Sequence, residues 1–116
     1  MSPEPPVVVV GGEPGLPVVR INGDVDHANA EPVEAEVLGA VAGSAAAVLD
    51  LTAVTFLDSA GVRLVDRVAA ALGPGPSPPL RVVAPEPSPA RFTLVLCAFP
   101  AALLCTAVEQ ALLQLA

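Results

Sequence analysis

Four short runs, apolar but for Arg20, Asp50 and Arg81, set the terms on which this chain can fold. They are Val7 to Val10, Val18 to Ile21, Ala47 to Leu51 and Leu80 to Val83. Runs of four or five β-branched and aliphatic residues bounded by Gly and Pro read as strands. The first two are close enough to form a hairpin across Gly12 to Pro17, and Gly11-Gly12 closes the first. The later ones are separated by stretches long enough for helices. After Asn29, a helix N-cap candidate, Val33, Val37, Leu38 and Val41 recur at helical spacing until Gly43-Ser44. Glu31, Glu34 and Glu36 place acid near its start, which suits the helix dipole. A second helix is expected to run from about Val62 to Leu72, with Thr52 to Asp58 as the connection leading to it. A third is expected near Ala90 to Ala98, then a short strand at Leu103 to Cys105. Thr106 to Glu109 has the capping-box spacing for a terminal helix through Leu115. Gly73 to Pro79, with four prolines, reads as a loop. A hairpin followed by strand–helix alternation implies an α/β single domain over 1–116. Its mixed sheet has four or five strands flanked by about four helices, and residues 1–6 form a flexible N-terminus.

Charge narrows the function. Twelve acidic residues face five arginines and no lysine, a net charge of −7, in a chain of only 116 residues. Nucleic acid needs a phosphate-neutralising basic patch and an anionic membrane needs a basic surface, so neither is an expected partner. The N-terminus lacks the basic and apolar segments of a signal peptide, and a cytoplasmic location is expected. Phe92 to Val108 is nearly all apolar, but Pro100 and two threonines interrupt it. A buried helix, a turn and a buried strand account for it better than a membrane span. Cys97 and Cys105, in apolar surroundings, read as buried reduced thiols.

Chemistry concentrates where the third run hands over to the second helix, at Val54 to Arg63. Asp58 and Ser59 are both good N-cap types, since their oxygens can accept from the free N–H groups of a first turn. A serine there is also well placed to carry a phosphate. Ser59, Arg63 and Arg67 follow at intervals of four and share one helix face, opposite Gly61, Val65, Val68 and Leu72. Ala60 and Gly61 add little bulk, so another protein could approach closely. A serine hydrolase would require Ser59, His27 and an Asp to assemble, but Leu57-Asp58-Ser59-Ala60-Gly61 lacks the first glycine of a nucleophile elbow. No catalytic residue is therefore assigned. Asp24, Asp26 and His27 lack a second ligand cluster, so no metal is expected, and no glycine loop carries the lysine of a phosphate cradle. No cofactor is expected.

Two stretches resemble a known family. Asn22 to Ala30, with Gly23-Asp24-Val25-Asp26-His27, is similar to the Gly-Glu-Leu-Asp-His/Ala segment of bacterial anti-sigma factor antagonists, the STAS-domain family. Val48 to Val62 resembles that family's Asp-Leu-Ser-x-Val-x-Phe-Asp-Ser-Ser/Thr-Gly-Leu signature, departing at Ala60, where Ser or Thr is usual, and at Arg63, where a small residue is common. The resemblance implies a partner-switching protein. Ser59 would be phosphorylated by an anti-sigma factor that is itself a serine kinase, the unphosphorylated form would bind that factor, and a serine phosphatase would reset the switch. It further implies that Asp24, Asp26, His27, Asp58, Ala60, Gly61, Val62 and Arg63 form the partner-binding surface. STAS domains also serve as structural or sensor subunits, including in transport or lipid-handling complexes, and that alternative stays open.

Overall fold

The computed structural model describes residues 5–73 and 79–116. The proline-rich stretch expected to be a loop lies largely in the remainder, at 74–78, as do residues 1–4 of the expected flexible N-terminus. Asn22 holds the residues that follow: its backbone N–H donates to Pro6 O (2.9 Å) and its side chain to Pro5 O (3.0 Å).

The first two strands, β1 (Val7–Glu13) and β2 (Leu16–Ile21), pair antiparallel. β1 does not stop at Gly11-Gly12. It bulges between Val9 and Gly11 and continues to Glu13, so the hairpin turn is only Pro14-Gly15. Proline presets φ at one central position and Gly15, at φ +81°, fills the other, which side chains avoid. Next come β3 (Gly23–Val25), α1 (Ala30–Val41), β4 (Ala47–Asp50), β5 (Val54–Leu57) and α2 (Ser59–Leu72). β6 (Leu80–Val83), α3 (Pro89–Leu96), a 3-10 turn at Ala101–Leu103, β7 (Leu104–Cys105) and α4 (Val108–Leu115) complete the chain. The main sheet has the order β1-β2-β4-β6-β7 and is parallel except for the hairpin. The mixed five-stranded sheet with four helices is as expected from the alternation of runs.

Side chains alternate between two cores. Val19, Ile21, Leu49 and Val82 face α1, α2 and α3, which contribute Val33, Val37, Leu64, Val65, Val68 and Leu94. Val18, Val48, Val83 and Cys105 face the other way, where α4 covers them with Ala111, Val108, Leu112 and Leu115. Central strands β4 and β6 are buried on both faces, hence their largely apolar composition. Asp50 and Arg81 are the charged residues among them. The Asp50 carboxylate, almost fully buried, accepts from Arg20 Nε (3.3 Å) and from Thr52 N (3.0 Å), and Arg81 Nε donates to Gln114 Oε1 (2.8 Å), so both have partners.

Several local expectations need correction. The Thr52 to Asp58 connection contains a strand: β5 pairs parallel with β3, placing Gly23 beside Val54 and Val25 beside Leu57. Three- and four-residue strands carry too few residues for alternation to be visible. Asn29 does not cap α1 through its side chain, which is drawn instead into the preceding loop. The Thr106–Glu109 capping box does not form, because Gln110 rather than Glu109 reaches back to Thr106 N (3.0 Å). The helix expected to be buried in Phe92 to Val108 is only half so. Ala90 and Leu94 are buried, whereas Phe92, Val95 and Leu96 are exposed by 59–72%. Cys97, at the end of that helix, is exposed, and only Cys105 is a buried thiol.

Candidate functional site

The small β3–β5 sheet brings the two sequence motifs together. Because Val25 pairs with Leu57, the chain leaves β3 into the 24–29 loop next to where it leaves β5 into α2. Asp58 N donates to Val25 O (3.3 Å), and Thr93 Oγ1 of α3 donates to Leu57 O (2.8 Å), which fixes the end of β5 from its other side.

Asp58 holds this junction. In an extended conformation (φ −109°, ψ −170°) it caps α2, with Oδ1 accepting from Ala60 N (2.9 Å) and Gly61 N (3.2 Å). Its other oxygen accepts from His27 N (3.2 Å), tying the loop to the helix start. Burial acts to raise the pKa of this carboxyl, but the backbone N–H groups of Gly61, His27 and Ala60 outweigh it. The net direction is downward. Asp58 is therefore ionised at neutral pH and complements the positive end of α2.

The loop is closed upon itself. Asp26 Oδ1 accepts from Ala28 N (2.9 Å) and Asn29 N (3.2 Å), Asn29 Oδ1 accepts from Asp26 N (2.9 Å), and Asn29 Nδ2 donates to Asp24 O (2.8 Å). These bonds explain why Asn29 is unavailable as a cap. Asp24 and His27 are exposed beside this network.

Ser59 is the first residue of α2 and is exposed; Asp58, not Ser59, is the cap. Among the described residues Ser59 has no hydrogen bond to His27, whose ring instead lies 3.7 Å from Asp58. No nucleophile–base pair is assembled. The described residues also hold no cluster of three or more potential metal ligands.

Of the other residues singled out from sequence, Arg63 is exposed and Ala60 half-buried, while Gly61 and Val62 lie in the core. A Cβ at Gly61 would run into Leu57 Cδ1 and come within 3.3 Å of Val25 Cγ1. Gly61 thus lets α2 lie close against β3 and β5, and neither it nor Val62 offers a side chain to a partner. Arg67 reaches α1 and pairs with Glu34 (3.1 Å). Between the starts of α1 and α2 lies a shallow hollow of about 300 Å³ lined by His27, Glu31, Glu34, Ala60, Arg63 and Arg67.

Sequence reasoning missed two exposed apolar features nearby. Phe56, two residues before Asp58, is 51% exposed. The outer face of α3 contributes Phe92, Val95 and Leu96 to a hollow of about 390 Å³ beside Pro87. No sequence signal separates these from core residues, since only packing decides which side of a short helix is covered.

A family model for the STAS domain matches residues 8–97. The chain is similar in structure to an anti-sigma factor antagonist from Mycobacterium paratuberculosis, at 28% identity and a TM-score of 0.77, over 94% of this chain and 92% of that one. It also shares the fold of the anti-sigma factor antagonist SpoIIAA in its unphosphorylated form (23% identity, TM-score 0.59, 90% and 91% covered). The Bacillus cell fate determinant SpoIIAA in the phosphorylated form matches at 20% identity and a TM-score of 0.64, over 95% and 99%. No curated protein sequence matches the chain.

Proposed function

We infer the function from one premise: the chain belongs to the STAS-domain family. It acts as an anti-sigma factor antagonist that binds an anti-sigma factor with serine kinase activity and is released when Ser59 is phosphorylated. The observation that carries this reading is the setting of Ser59. Its hydroxyl is exposed on the first residue of α2, directly after an ionised cap that is bonded to the 24–29 loop. One protein surface can thus touch the loop, through Asp24, Asp26 and His27, and the helix start, through Ser59, Ala60 and Arg63. Likeness to the mycobacterial antagonist supports the same class of partner.

The switch follows from the chemistry of the serine. Its Oγ attacks the γ-phosphorus of ATP held by the kinase; an O–P bond forms, the bond to the bridging oxygen of ADP breaks, and the hydroxyl proton passes to a base of the kinase and on to solvent. The product carries about −1.5 to −2 charges and three strong acceptor oxygens. Desolvating that group inside a docked interface is costly, and loss of a central contact typically removes about 2–4 kcal/mol, roughly 30- to 1000-fold in affinity. A serine phosphatase returns the chain to its binding form. The chain itself catalyses no reaction and works in the cytoplasm; no helix among the described residues is long and apolar enough to cross a membrane.

The test is binding of wild type, Ser59→Ala and Ser59→Asp to the cognate anti-sigma factor, with peptide mapping after incubation with ATP and Mg²⁺. Phosphate should map to Ser59, and Ser59→Asp should fold yet bind at least 30-fold more weakly. A folded Ser59→Asp protein that binds like wild type would overturn the reading. The exposed Phe92, Val95 and Leu96 face favours a second reading, a STAS subunit seated permanently in a larger assembly without phosphorylation. Phosphate-insensitive binding abolished by Phe92→Glu would support it.

A further inference from the structure

We propose that Arg63 is an intramolecular clamp for the phosphoryl group of phosphorylated Ser59. Phosphorylation then does two things at once: it adds negative charge to the docking surface and withdraws the cation that this surface offers. The inference rests on the reading of Ser59 as the phosphoacceptor and adds how the modified state is held.

Three observations point to Arg63. The first is placement. Ser59 and Arg63 are one turn apart on the same ridge of α2, within the reach of i, i+4 pairs. Arg63 lines the hollow at the helix start together with Ala60 and His27.

The second is that the free N–H groups that ordinarily hold a phosphate at a helix N-terminus are, beyond that of Ser59 itself, already occupied. Ala60 N and Gly61 N donate to the Asp58 carboxylate, and Val62 N donates to Asp58 O (3.1 Å). Asp58 also stays ionised. A phosphate on Ser59 therefore meets a neighbouring anion and, of the first four N–H groups of α2, only that of Ser59 itself, so a side-chain cation is the group able to balance the rest of its charge.

The third is the allocation of cations. Arg67 is engaged by Glu34 (3.1 Å), Arg20 by Asp50 (3.3 Å) and Arg91 by Glu86 (3.0 Å), and Arg81 donates to Gln114 (2.8 Å) on the far side of the sheet. Arg63 is exposed and, among the described residues, has no ion pair. Its planar fork can take two phosphate oxygens in parallel, which a lysine cannot do. In the unphosphorylated chain the same guanidinium is free to meet a carboxylate of the partner. Once it has turned back onto the phosphate, that contact is gone.

The experiment installs phosphoserine at position 59 of the full chain by genetic encoding, so it needs neither kinase nor partner. The second ionisation of the phosphate, ordinarily near pH 6, is followed by ³¹P NMR. Pairing with Arg63 stabilises the dianion, so its titration midpoint should lie about half a unit below that of Arg63→Gln, roughly threefold in proton affinity. Arg63→Lys should fall between them. The double variant Glu34→Gln/Arg67→Gln, which deletes a neutral pair from the same hollow, should titrate as wild type does. Equal midpoints for wild type and Arg63→Gln would overturn the clamp. So would a shift in the double variant as large as that in Arg63→Gln. If the titration shows the clamp yet the phosphoserine-59 chain binds its anti-sigma factor undiminished, the clamp stands and the switching function fails.

Discussion

Replacing Asp58 separates two jobs that one carboxylate performs. One oxygen caps α2 through Ala60 N and Gly61 N; the other holds the 24–29 loop through His27 N. Asn is as good a cap as Asp, so Asp58→Asn should keep the first job with its remaining carbonyl oxygen. Its amide nitrogen would then face the His27 N–H, donor against donor, and the loop tether is lost. Hydrogen bonds to charged groups are worth about 1.5–3 kcal/mol when buried, but this side chain is 27% exposed and water replaces part of the loss. About 1 kcal/mol is a reasonable figure for the tether and about 1 kcal/mol for the cap. Asp58→Asn should therefore cost about 1 kcal/mol and Asp58→Ala about 2 kcal/mol, or roughly 4 and 8 °C in Tm for a domain of this size. Denaturation followed by circular dichroism gives the totals, and amide hydrogen exchange at His27 isolates the tether. Exchange there should accelerate in both variants, while the amides of Ala60 and Gly61 should lose protection only in Asp58→Ala. Equal destabilisation of the two variants, or unchanged exchange at His27 in Asp58→Asn, would refute this division of labour.

Acid should remove the same contribution. The folded pKa of Asp58 lies below its unfolded value, so its stabilisation is fully present above the unfolded pKa, near 4, and is lost as pH falls through the folded pKa; the stability gap between wild type and Asp58→Asn should shrink in that range when unfolding is measured from pH 6 down to pH 2. Since Ser59 is not the cap, Ser59→Ala should change stability by less than about 0.5 kcal/mol in a urea titration. Gly61→Lys should destabilise by more than about 2 kcal/mol, because its side chain must enter the space of Leu57 and Val25, and Ala60→Lys should cost far less in the same assay. A thiol reagent should label Cys97 in the native protein and Cys105 only after unfolding, as burial pushes the Cys105 thiol up and shields it.

The main sheet was readable from sequence because β2, β4 and β6 are apolar runs whose length and boundaries match buried strands. The helix starting beyond Asp58 was readable for a related reason: Val65, Val68 and Leu72 repeat at the period a helix imposes. What escaped was decided by tertiary contact. β3 and β5 hold each other in register although neither has enough residues to show alternation. Asn29 has the chemistry of a cap, yet its side chain finds better partners in Asp26 N and Asp24 O. Gly61 suggested room for a partner to approach, whereas the element approaching it is the chain's own β5. Within Phe92 to Val108 composition is uniform, and which residues face water depends on where α3 lies against β5, information absent from the stretch itself.

The parallel register has a kinetic consequence. Among the paired strands, β1 and β2 alone are joined by a tight turn; Val18 must find Val48, Ala47 must find Leu80, Val82 must find Leu104, and Gly23 must find Val54. Such distant pairings require large loops to close before any contact rewards them, so they form slowly. The β3–β5 pair that sets Ser59 beside the 24–29 loop belongs to this slow class. A chain still searching for its fold has the serine but not its surroundings, and the proposed kinase, if it recognised Ser59 through the capped helix start and the adjoining loop, would read completion of folding as well as sequence.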